Sequence, residues 1–500
     1  MTETRLSDLL RCLPGAIPLD TGDPVVTGVA CDTRTLAPGH LFVAVRGTQH
    51  DGHGYLGAAA AAGAAACLVE EARPAPGLVR VRVDDTEAAL GRAASAFWGH
   101  PSRKLRLVGI TGTNGKTTTA YLLQHVLAQF GESVGRLGTV SYAFPGGEEP
   151  APLTTPDAPT LQAALARMVA EGANSVVMEV SSHALHRKRV EGCAFQLAVF
   201  TNLTQDHLDY HGTMDAYYEA KRLLFHQCVP GAVAVINAED PFGERLAGEV
   251  PGRVVRYGLA AGDVRLEVLD SSLGGLRGRV HYPGGAAELV LPLVGEFNAR
   301  NAACALAAVW ALGLDLPAAA AALSTAPQVP GRGERVENTA GFTVVVDYAH
   351  THDALDRVLE AVRALCRGRL TCVFGCGGDR DRGKRPLMAK AAARWSDAVV
   401  LTADNSRSED TEEILDEIEI GLPVGWCRVE EAGLAQGSRV YARIADRAAA
   451  IRAAVAAARS GDLVVIAGKG HEATQTIGGR VTAFDDRVHA RAALATVEGV

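Results

Sequence analysis

A glycine-rich segment, Gly112-Thr-Asn-Gly-Lys-Thr-Thr118, limits the possible folds of this 500-residue chain more than any other segment. The apolar run Leu105–Ile110 before it predicts a buried strand, and apolar residues at helical spacing from Leu123 to Phe130 predict a helix after it. Glycines in such a turn let backbone N–H groups approach phosphate oxygens, and the helix N-terminus adds the positive end of its dipole. The segment therefore predicts an α/β domain with a nucleoside triphosphate site.

Two residues of this loop have distinct expected contacts. Lys116 is expected to reach the β- and γ-phosphates, and the Thr117 hydroxyl to bind Mg²⁺. The strict motif has a further glycine where this chain has Ile110, so Gly112 supplies the turn in a variant of the loop. The alternative is an ordinary helix start that happens to contain Gly and Lys. The loop alone does not indicate which reaction the nucleotide serves.

Apolar runs of strand length alternate with helical patterns along the rest of the chain, which predicts mostly parallel sheets. The central runs are Ser175–Val180, Leu197–Phe200 and Ala232–Ile236, and short strands with glycine turns follow between residues 263 and 294. The later runs are Phe342–Val346, Leu370–Phe374, Ala398–Leu401 and Leu463–Ile466. A chain of this length is too long for one hydrophobic core.

Breaks in the pattern near Trp98–Ser102 and Pro330–Val336 predict three domains. We expect a small N-terminal α/β domain over residues 1–103, a central parallel-sheet domain of the P-loop ATPase type over 104–337, and a C-terminal Rossmann-like domain over 338–500. The small-residue stretch at 57–67 predicts a closely packed helix that leads into a buried strand.

Composition argues against several classes of protein. The chain is 48% hydrophobic and 21% charged with a formal charge of -8, so binding of nucleic acid through bulk charge is not expected. Its ten cysteines are scattered and form no Cys-x-x-Cys pair, which predicts reduced thiols and a cytoplasmic location. The first residues lack the pattern of a signal peptide, and no run approaches the roughly 18 apolar residues of a membrane span.

Nine further motifs follow the loop in order and narrow the reaction. They are Thr154–Asp157, Glu179–His183, Thr201–Gly212, Lys221, Gly295–Asn298, Pro330–Arg332, Asp347–His350, Gly375–Arg380 and Gly468–Glu472. In these residues and this order the chain resembles the Mur ligase family over nearly its whole length. The resemblance implies an ATP-dependent ligase that phosphorylates a carboxylate and lets an amine attack the acyl-phosphate.

The resemblance also implies roles for the residues of the central site. Lys116, Glu179, His207 and Lys221 are expected to be catalytic, and Thr117, Glu179, His207 and a carbamylated Lys221 to hold Mg²⁺. The residues expected to bind ATP are Gly112, Thr113, Asn114, Gly115, Lys116, Thr117, Thr118, Asn298, Asn301, Arg332 and Asp347.

Local sequence leaves plainer alternatives for four of these residues. Glu179 could cap the next helix, and Asn298 could be a helix N-cap. Lys221 could be a surface lysine whose stem covers apolar residues. His207, in a loop with Asp206, Asp209 and His211, could be a solvated histidine or part of a zinc site.

Two N-terminal motifs, Asp32–Arg34 and Gly47–Gly52, resemble the uridine-diphosphate-binding segments of the tripeptide synthetase branch of the family. This implies that the acceptor substrate is UDP-N-acetylmuramoyl-L-alanyl-D-glutamate and that the product is a precursor of peptidoglycan. The residues expected at this substrate are Cys31, Thr33, Thr48, Gln49, His50, Thr154, Thr155, Ser181, Arg187 and Arg189. A turn or cap role is the alternative for Thr33, and Arg187 departs from the glutamine that the family often has there.

The incoming substrate is expected to be a diamino acid. The residues implied for its pocket are Arg380, Asp404, Asn405, Ser406, Arg407, Gly468 and Glu472. Arg407 matches the arginine that binds the distal carboxylate of meso-diaminopimelate, and this substrate is favoured. Ser406 replaces the proline that is usual before that arginine, which suggests a looser or displaced loop and leaves L-lysine and L-ornithine open.

Two other functions are weaker candidates. A folylpolyglutamate synthetase-like ligase shares the ATP-binding motifs but would not be expected to carry Asp32–Arg34 and Gly47–Gly52. A P-loop ATPase switch does not account for Asp347–His350 or Gly468–Glu472. A monomer is the default expectation for the oligomeric state.

Overall fold

The computed structural model describes residues 4–47 and 50–499. It contains three α/β domains in chain order, each built on its own sheet. No helix in these residues is long and apolar enough to cross a membrane.

The N-terminal domain has a five-stranded sheet in the order β2-β7-β6-β5-β4, in which β4 to β7 are parallel. The elements of this domain are β1 (Thr4–Arg5), α1 (Leu6–Leu10), β2 (Ile17–Pro18), β3 (Val25–Val26), β4 (Gly28–Ala30), β5 (His40–Val43), α2 (Leu56–Ala61), β6 (Ala66–Val69), β7 (Val79–Arg82) and α3 (Thr86–Phe97). The predicted helix and strand within 57–67 correspond to α2 and the start of β6.

The central domain has an eleven-stranded sheet in the order β11-β10-β9-β12-β8-β13-β14-β15-β16-β17-β18. Its elements are β8 (Arg106–Thr111), α4 (Lys116–Gln129), β9 (Val134–Leu137), β10 (Ser141–Phe144), β11 (Gly147–Pro150), α5 (Ala158–Ala170), β12 (Ser175–Glu179), α6 (Ser182–His186), β13 (Phe195–Phe200), α7 (Leu208–His211), α8 (Met214–His226), β14 (Cys228–Asn237), α9 (Pro241–Glu249), β15 (Arg253–Gly258), β16 (Val264–Ser272), β17 (Gly275–Tyr282), β18 (Gly285–Leu291), α10 (Glu296–Ala311) and α11 (Leu316–Ala322).

Two hydrophobic clusters explain why the central strands are apolar on both faces. One cluster packs the sheet against α4, α10 and α11, and the other packs it against α5, α8 and α9. Parallel strands covered on both faces lack a polar side, which is why the sequence shows continuous apolar runs there. The predicted excursion at 263–294 is confirmed as the antiparallel strands β16 to β18.

The C-terminal domain has a seven-stranded sheet in the order β19-β20-β25-β21-β22-β24-β23, in which only β19 is antiparallel to its neighbour. Its elements are β19 (Glu334–Val336), β20 (Thr343–Asp347), α12 (His352–Arg363), β21 (Leu370–Phe374), α13 (Lys384–Trp395), β22 (Ala398–Leu401), α14 (Thr411–Glu419), β23 (Cys427–Arg428), β24 (Val440–Arg443), α15 (Arg447–Ala457), β25 (Leu463–Ala467), β26 (Thr474–Ile477), β27 (Arg480–Ala483) and α16 (Asp486–Glu498).

The domain boundaries at 103/104 and 337/338 stay predictions. β19 lies before the second boundary and pairs with β20, so a division at 337/338 separates this strand from its sheet. The Rossmann-like character expected of the last domain agrees with its parallel strands and alternating helices.

The N-terminal and central domains touch closely along α3. Arg92 pairs with Glu191 at 2.7 Å, and Ser95 Oγ donates to the Gly192 carbonyl at 2.9 Å. A Cβ atom at Gly91 would overlap the Glu191 carbonyl oxygen. Only glycine permits this approach of α3 to the segment after α6, so the contact positions the first domain against the second.

Candidate active site

The phosphate loop joins β8 to α4 at the carboxyl end of the central sheet. Gly112 and Gly115 have φ values of 144° and 86°, which side chains rarely allow, and a Cβ at Gly112 would overlap Thr201 Oγ1. The segment after β13 supports the loop, because Thr201 Oγ1 donates to the Asn114 carbonyl at 2.6 Å and the Asn114 amide donates to Asn202 Oδ1 at 3.0 Å. The loop is therefore held before any nucleotide binds, as expected for a preformed anion site.

Two buried lysines meet at this loop. Lys116 Nζ donates to the carbonyl oxygens of Gly112 and Thr113, both at 2.8 Å. Lys221, on α8, donates to the same Gly112 carbonyl at 2.8 Å and lies 4.4 Å from the centre of the Tyr217 ring. Burial lowers the pKa of both amines, and Lys116 lowers the pKa of Lys221 further. Lys221 is only 1% exposed, so the surface-lysine alternative is wrong.

Glu179, at the end of β12, faces the first turn of α4. Its Oε2 accepts from Thr117 Oγ1 at 2.9 Å and from Thr139 Oγ1 at 3.0 Å, and its Oε1 accepts from the Thr139 amide at 2.8 Å. The side chain is 1% exposed. Glu179 does not cap the next helix, since Ser181 Oγ accepts from the Ala184 amide there. The capping alternative is therefore wrong, and a buried carboxylate stands beside the phosphate loop.

His207 is more exposed than the other central residues. Its backbone has φ 53° at the start of α7, and its Nε2 lies 3.5 Å from Asp206 Oδ2. Burial lowers its pKa. Its ring centre is 4.8 Å from that of His183, and His211 Nε2 lies 3.0 Å from Ser182 Oγ. Within residues 4–47 and 50–499 no three His, Cys, Asp or Glu side chains are grouped to hold a metal, which speaks against the zinc alternative.

The residues expected on the nucleotide side come from both larger domains. Asn298 is inside the first turn of α10, where Gly295 precedes the helix, so it is not the N-cap; its Nδ2 donates to the Val294 carbonyl at 2.8 Å. Asn301 Nδ2 donates to Asn298 Oδ1 at 3.1 Å, and a Cβ at Gly115 would overlap Asn301 Oδ1. Asn301 thus lies against the phosphate loop, and Asn298 is hydrogen-bonded to Asn301.

Arg332 and Asp347 connect this loop to the C-terminal domain. An Arg332 Nη lies 3.4 Å from Thr117 Oγ1, and its guanidinium stacks 4.3 Å from the centre of the Tyr348 ring. Asp347, at the end of β20, accepts from the amides of Gly333 at 2.6 Å and Ala349 at 2.7 Å. Burial raises the pKa of Asp347. The phosphate loop is therefore within reach of Arg332, which lies just before β19 of the C-terminal sheet.

Among the described residues expected at the acceptor substrate, Arg187 contacts the N-terminal domain. Arg187 donates to the Arg46 carbonyl at 3.1 Å and pairs with Glu87 at 2.6 Å. Thr33 is half-buried between Asp32 and Arg34, which form a bidentate pair, and His50 is exposed. Thr48 and Gln49 lie outside the described residues. Burial and two nearby carboxylates, Asp157 and Asp32, raise the pKa of the Cys31 thiol to about 11.

Four of these residues connect to the end of β12, either directly or through one neighbouring residue. Thr155 Oγ1 donates to the Glu179 carbonyl at 2.9 Å, and the Ser181 amide donates back to Thr155 Oγ1 at 3.1 Å. Arg189 donates to the Thr155 carbonyl at 3.1 Å. Thr154 Oγ1 lies 3.1 Å from Thr139 Oγ1. These hydroxyl groups therefore link the residues expected at the peptide of the acceptor to Glu179, the carboxylate beside the phosphate loop.

The residues expected at the amino acid converge at the carboxyl ends of β21, β22 and β25. Arg407 has φ 53° and donates through Nη1 to the Gly378 carbonyl at 2.6 Å. Asn405 Nδ2 donates to Glu472 Oε2 at 2.9 Å. A Cβ at Gly468 would come within 2.8 Å of Asp404 Oδ2, so glycine is needed there. Arg380 is exposed, and its Cγ and an Arg407 Nη both lie within 4 Å of the position that a Cβ at Gly377 would take.

The structure does not support the expectation of a looser loop at Ser406. The side chain is 1% exposed, and its Oγ lies 2.7 Å from Thr411 Oγ1. The amide of Arg407 also donates to the Thr476 carbonyl at 3.0 Å. At this position a proline would restrain the loop through its ring, whereas Ser406 restrains it through the hydrogen bond of its hydroxyl.

Comparison with known proteins identifies the family. Three family models match: the Mur ligase family catalytic domain over residues 25–98, the Mur ligase middle domain over 110–309, and the Mur ligase glutamate ligase domain over 331–470. A 2,6-diaminopimelate ligase acting on UDP-N-acetylmuramoyl-L-alanyl-D-glutamate, from Geobacter metallireducens, is 45% identical over 98% of both chains. The chain belongs to the Mur ligase family.

Other relatives of this Mur ligase agree in fold. The ligase of the same name from Geobacillus thermodenitrificans is 43% identical over 98% of this chain and 99% of its own. A solved structure of a ligase with the same name is 34% identical, with a TM-score of 0.69, and the match covers 98% of this chain and 99% of that chain. A Mycobacterium tuberculosis folylpolyglutamate synthase complexed with ADP, at 22% identity and a TM-score of 0.60, covers 77% of this chain and 92% of its own, and shows the shared fold alone.

The donors beside the phosphate loop of this Mur ligase fit Mg²⁺. Thr117 and Glu179 offer a hydroxyl and a carboxylate 2.9 Å apart. Mg²⁺ prefers oxygen ligands and takes most of the remainder from water and substrate phosphates, so a closed cage of protein ligands is not required. Lys221 as an ammonium cannot be a ligand, whereas its carbamate would add oxygens next to Lys116.

Sequence reasoning missed three residues of the Mur ligase site. Thr139 binds both oxygens of Glu179. Lys469 is buried beside Asn405 and Glu472, two of the residues expected at the amino acid. Arg447 forms a fully buried pair with Asp486 and donates to the carbonyls of Ala403 and Ala467. Of these three residues, only Lys469 could have been found from the local sequence, because it lies between two glycines at the end of an apolar strand. Thr139 and Arg447 could not, because their contacts join segments that are distant in the chain.

Proposed function

We propose that this Mur ligase uses ATP to join meso-diaminopimelate to the γ-carboxylate of the D-glutamate in UDP-N-acetylmuramoyl-L-alanyl-D-glutamate. The observation that carries this proposal is the arrangement of the two sites. A phosphate loop with a buried carboxylate lies at the end of the central sheet, and a polar cluster that contains Arg407 and Glu472 lies at the end of the C-terminal sheet. The 45% identity to a ligase named for these substrates supports the same assignment.

Phosphorylation of the carboxylate is the first task of the site. Two anions must approach each other, so positive charge is needed where they meet. Lys116 is proposed to contact the β- and γ-phosphates, since its ammonium bonds to carbonyls of the loop itself and could turn to an incoming phosphate. Gly112, Thr113, Asn114, Gly115, Thr117 and Thr118 supply the loop, its amides and its hydroxyls. Arg332, next to Thr117, adds a second cation.

We further propose that Thr117, Glu179, His207 and carbamylated Lys221 hold Mg²⁺. When bound, Mg²⁺ would neutralise phosphate charge and orient the transferred group. Carbamylation needs a neutral amine, and the burial of Lys221 beside a second cation favours that form. Thr139 keeps both oxygens of Glu179 directed toward the loop.

The N-terminal domain is proposed to bind the uridine-diphosphate end of the acceptor through Cys31, Thr33, Thr48, Gln49 and His50. Thr154, Thr155, Ser181, Arg187 and Arg189 would then meet the muramoyl peptide. The link from Arg187 to the backbone of Arg46 supports this, because it joins the two groups of residues in one contact. Asn298, Asn301 and Asp347 are proposed for the nucleoside of ATP.

The pocket at the C-terminal sheet is proposed to hold the diamino acid. Arg407 would bind the distal carboxylate, which meso-diaminopimelate has and L-lysine and L-ornithine lack. Arg380, Asp404, Asn405, Ser406, Gly468 and Glu472 would complete the pocket. The unprotonated amine of this substrate attacks the acyl carbon and forms the C–N bond. Phosphate leaves with the electron pair of the broken acyl C–O bond, and the nitrogen gives up one proton, which the departing phosphate can accept. Exclusion of water protects the acyl-phosphate during this step.

Phosphate release by the purified protein tests the proposal. ATP, Mg²⁺ and the UDP-dipeptide are supplied with meso-diaminopimelate, L-lysine or L-ornithine in parallel, and Lys116→Met serves as the inactive control. We expect release with meso-diaminopimelate only, together with a tripeptide product of matching mass. Release with L-lysine or L-ornithine instead would overturn the role of Arg407, and no release with any of them would overturn the acceptor assignment. Light scattering on the same sample tests the monomeric state.

A further inference from the structure

Lys469 is a buried lysine in the pocket at the C-terminal sheet. It follows β25 between Gly468 and Gly470, and its side chain is 0% exposed. Its Nζ donates to Glu472 Oε2 at 2.9 Å and to Asn405 Oδ1 at 3.2 Å, and it lies 4.0 Å from Asp404 Oδ1. A buried ammonium persists only where such partners offset its desolvation.

The partners of Lys469 are themselves fixed by the neighbouring segment. Asn405 Oδ1 also accepts from the Thr476 amide at 3.0 Å, and Asn405 Nδ2 donates to Glu472 Oε2 at 2.9 Å. Gln475 Nε2 donates to the Asp404 carbonyl at 2.9 Å. Glu472 Oε2 thus receives two donors from groups that cannot move freely.

The other oxygen of Glu472 is different. Among the residues that the structure describes, Oε1 has no hydrogen-bond partner, and the side chain of Glu472 is 31% exposed. A carboxylate held through one oxygen presents the second in a defined direction. Its chemistry suits an ammonium group.

We propose that Lys469 is a positioning residue that fixes Glu472 so that Oε1 receives an ammonium group of the diamino acid. This inference rests on the proposed function and assigns the residues that bind the amino group of the diamino acid. Asp404 and Glu472 are both carboxylates near Lys469, so a neutral residue at this position would leave them to repel each other. Glu472, being partly exposed, would then turn toward solvent.

The steady-state constants of Lys469→Met test this role, with Lys390→Met as a matched control because Lys390 is an exposed lysine of the same domain. We expect KM for the diamino acid to rise about tenfold or more, with KM for ATP and for the UDP-dipeptide within about twofold of wild type. The control should match wild type in all three. Unchanged constants, or an equal rise in all three, would overturn the proposal.

A double-mutant cycle with Glu472→Gln separates positioning from a general structural effect. If Lys469 acts through Glu472, the double variant should be no worse than the worse single variant, whereas additive losses would refute the proposal. Lys469→Gln replaces Lys469→Met if the latter shows no cooperative thermal transition. Wild-type protein inactive with every diamino acid would refute the proposed function; active wild type with unchanged Lys469→Met would refute the positioning role alone.

Discussion

Lys116 and Lys221 donate hydrogen bonds to one and the same acceptor, the carbonyl oxygen of Gly112, each at 2.8 Å. Two ammonium groups that share a carbonyl in a buried site repel each other. The conflict ends if one of them loses its proton. Burial and the charge of Lys116 lower the pKa of Lys221, whereas the charge of Glu179 opposes the lowering of the Lys116 pKa, so Lys221 is the better candidate. A neutral Lys221 amine can then add to CO₂, and the resulting anion would turn repulsion into attraction.

The first prediction concerns CO₂ and Lys221. Protein prepared in CO₂-free buffer should lose most of its ligase activity and regain it when bicarbonate is added, because the carbamate forms reversibly. Labelled ¹³CO₂ should give a carbamate signal in the NMR spectrum of wild type that is absent from Lys221→Ala. The exposed-lysine variant Lys390→Met should keep both the signal and the activity. A wild-type spectrum without the signal, or full activity in Lys221→Ala, would contradict carbamylation.

The second prediction concerns the carboxylate beside the loop. Glu179→Gln keeps the shape of the side chain but removes its charge, and we expect kcat to fall by about 10²–10³-fold because charge neutralisation around the phosphates is lost. The thermal transition should change little. Phosphate release at several Mg²⁺ concentrations measures the effect, and the variant should need more Mg²⁺ for half-maximal rate.

Thr139 provides the matched test of how Glu179 is held. Thr139→Val retains the amide donor to Oε1 but loses the hydroxyl donor to Oε2, while Thr139→Ser keeps both. Loss of one hydrogen bond to a charged group corresponds to about 1.5–3 kcal/mol, so Thr139→Val should lose about tenfold in kcat/KM or more. Equal activity of the two variants would show that the hydroxyl is not needed.

The strands and the phosphate loop could be predicted from sequence because their signals are local. The apolar run before Gly112–Thr118 predicted β8 to within one residue of its observed limits, and the apolar spacing after it predicted the end of α4 to within one residue. The position of Glu179 at a strand end could also be predicted. Parallel strands bring their carboxyl ends together, so a polar residue there belongs to the site.

Burial of charged side chains could not be predicted in the same way. Lys221 has the sequence surroundings of an amphipathic helix, which also suits an exposed lysine, and only the contact with Gly112 across 109 residues decides between them. Arg447 and Asp486 stand at the starts of two helices and resemble ordinary polar helix ends. Their pairing depends on how α15 and α16 pack, which no local pattern contains.

The third prediction concerns that pair. Arg447 and Asp486 are fully buried and hydrogen-bonded at 2.7 Å, and Arg447 also donates to the carbonyls that precede Asp404 and Gly468. Removing one partner leaves an unpaired buried charge, so Asp486→Leu should cost about 3–5 kcal/mol in the free energy of unfolding. Unfolding of the C-terminal domain in denaturant measures this loss of stability.

Replacing both partners of the pair is the informative control. Arg447→Met with Asp486→Leu removes the desolvation penalty along with the attraction, so the double variant should be more stable than Asp486→Leu alone. Its KM for the diamino acid should nevertheless rise, because the two carbonyls lose their common donor. A double variant less stable than either single variant would contradict this account.

The fourth prediction concerns selection of the diamino acid by Arg407 and its neighbour Ser406. Ser406→Pro removes the hydroxyl bonded to Thr411, but the Arg407 guanidinium remains tied to the Gly378 carbonyl, so KM for meso-diaminopimelate should change by less than about threefold. Arg407→Met should raise that KM by about tenfold or more, because the bidentate partner of the distal carboxylate is lost. The same variant should discriminate less between meso-diaminopimelate and L-lysine, measured as the ratio of kcat/KM values. If Ser406→Pro instead changed which diamino acid is used while Arg407→Met did not, the serine and not the arginine would determine the specificity of this pocket.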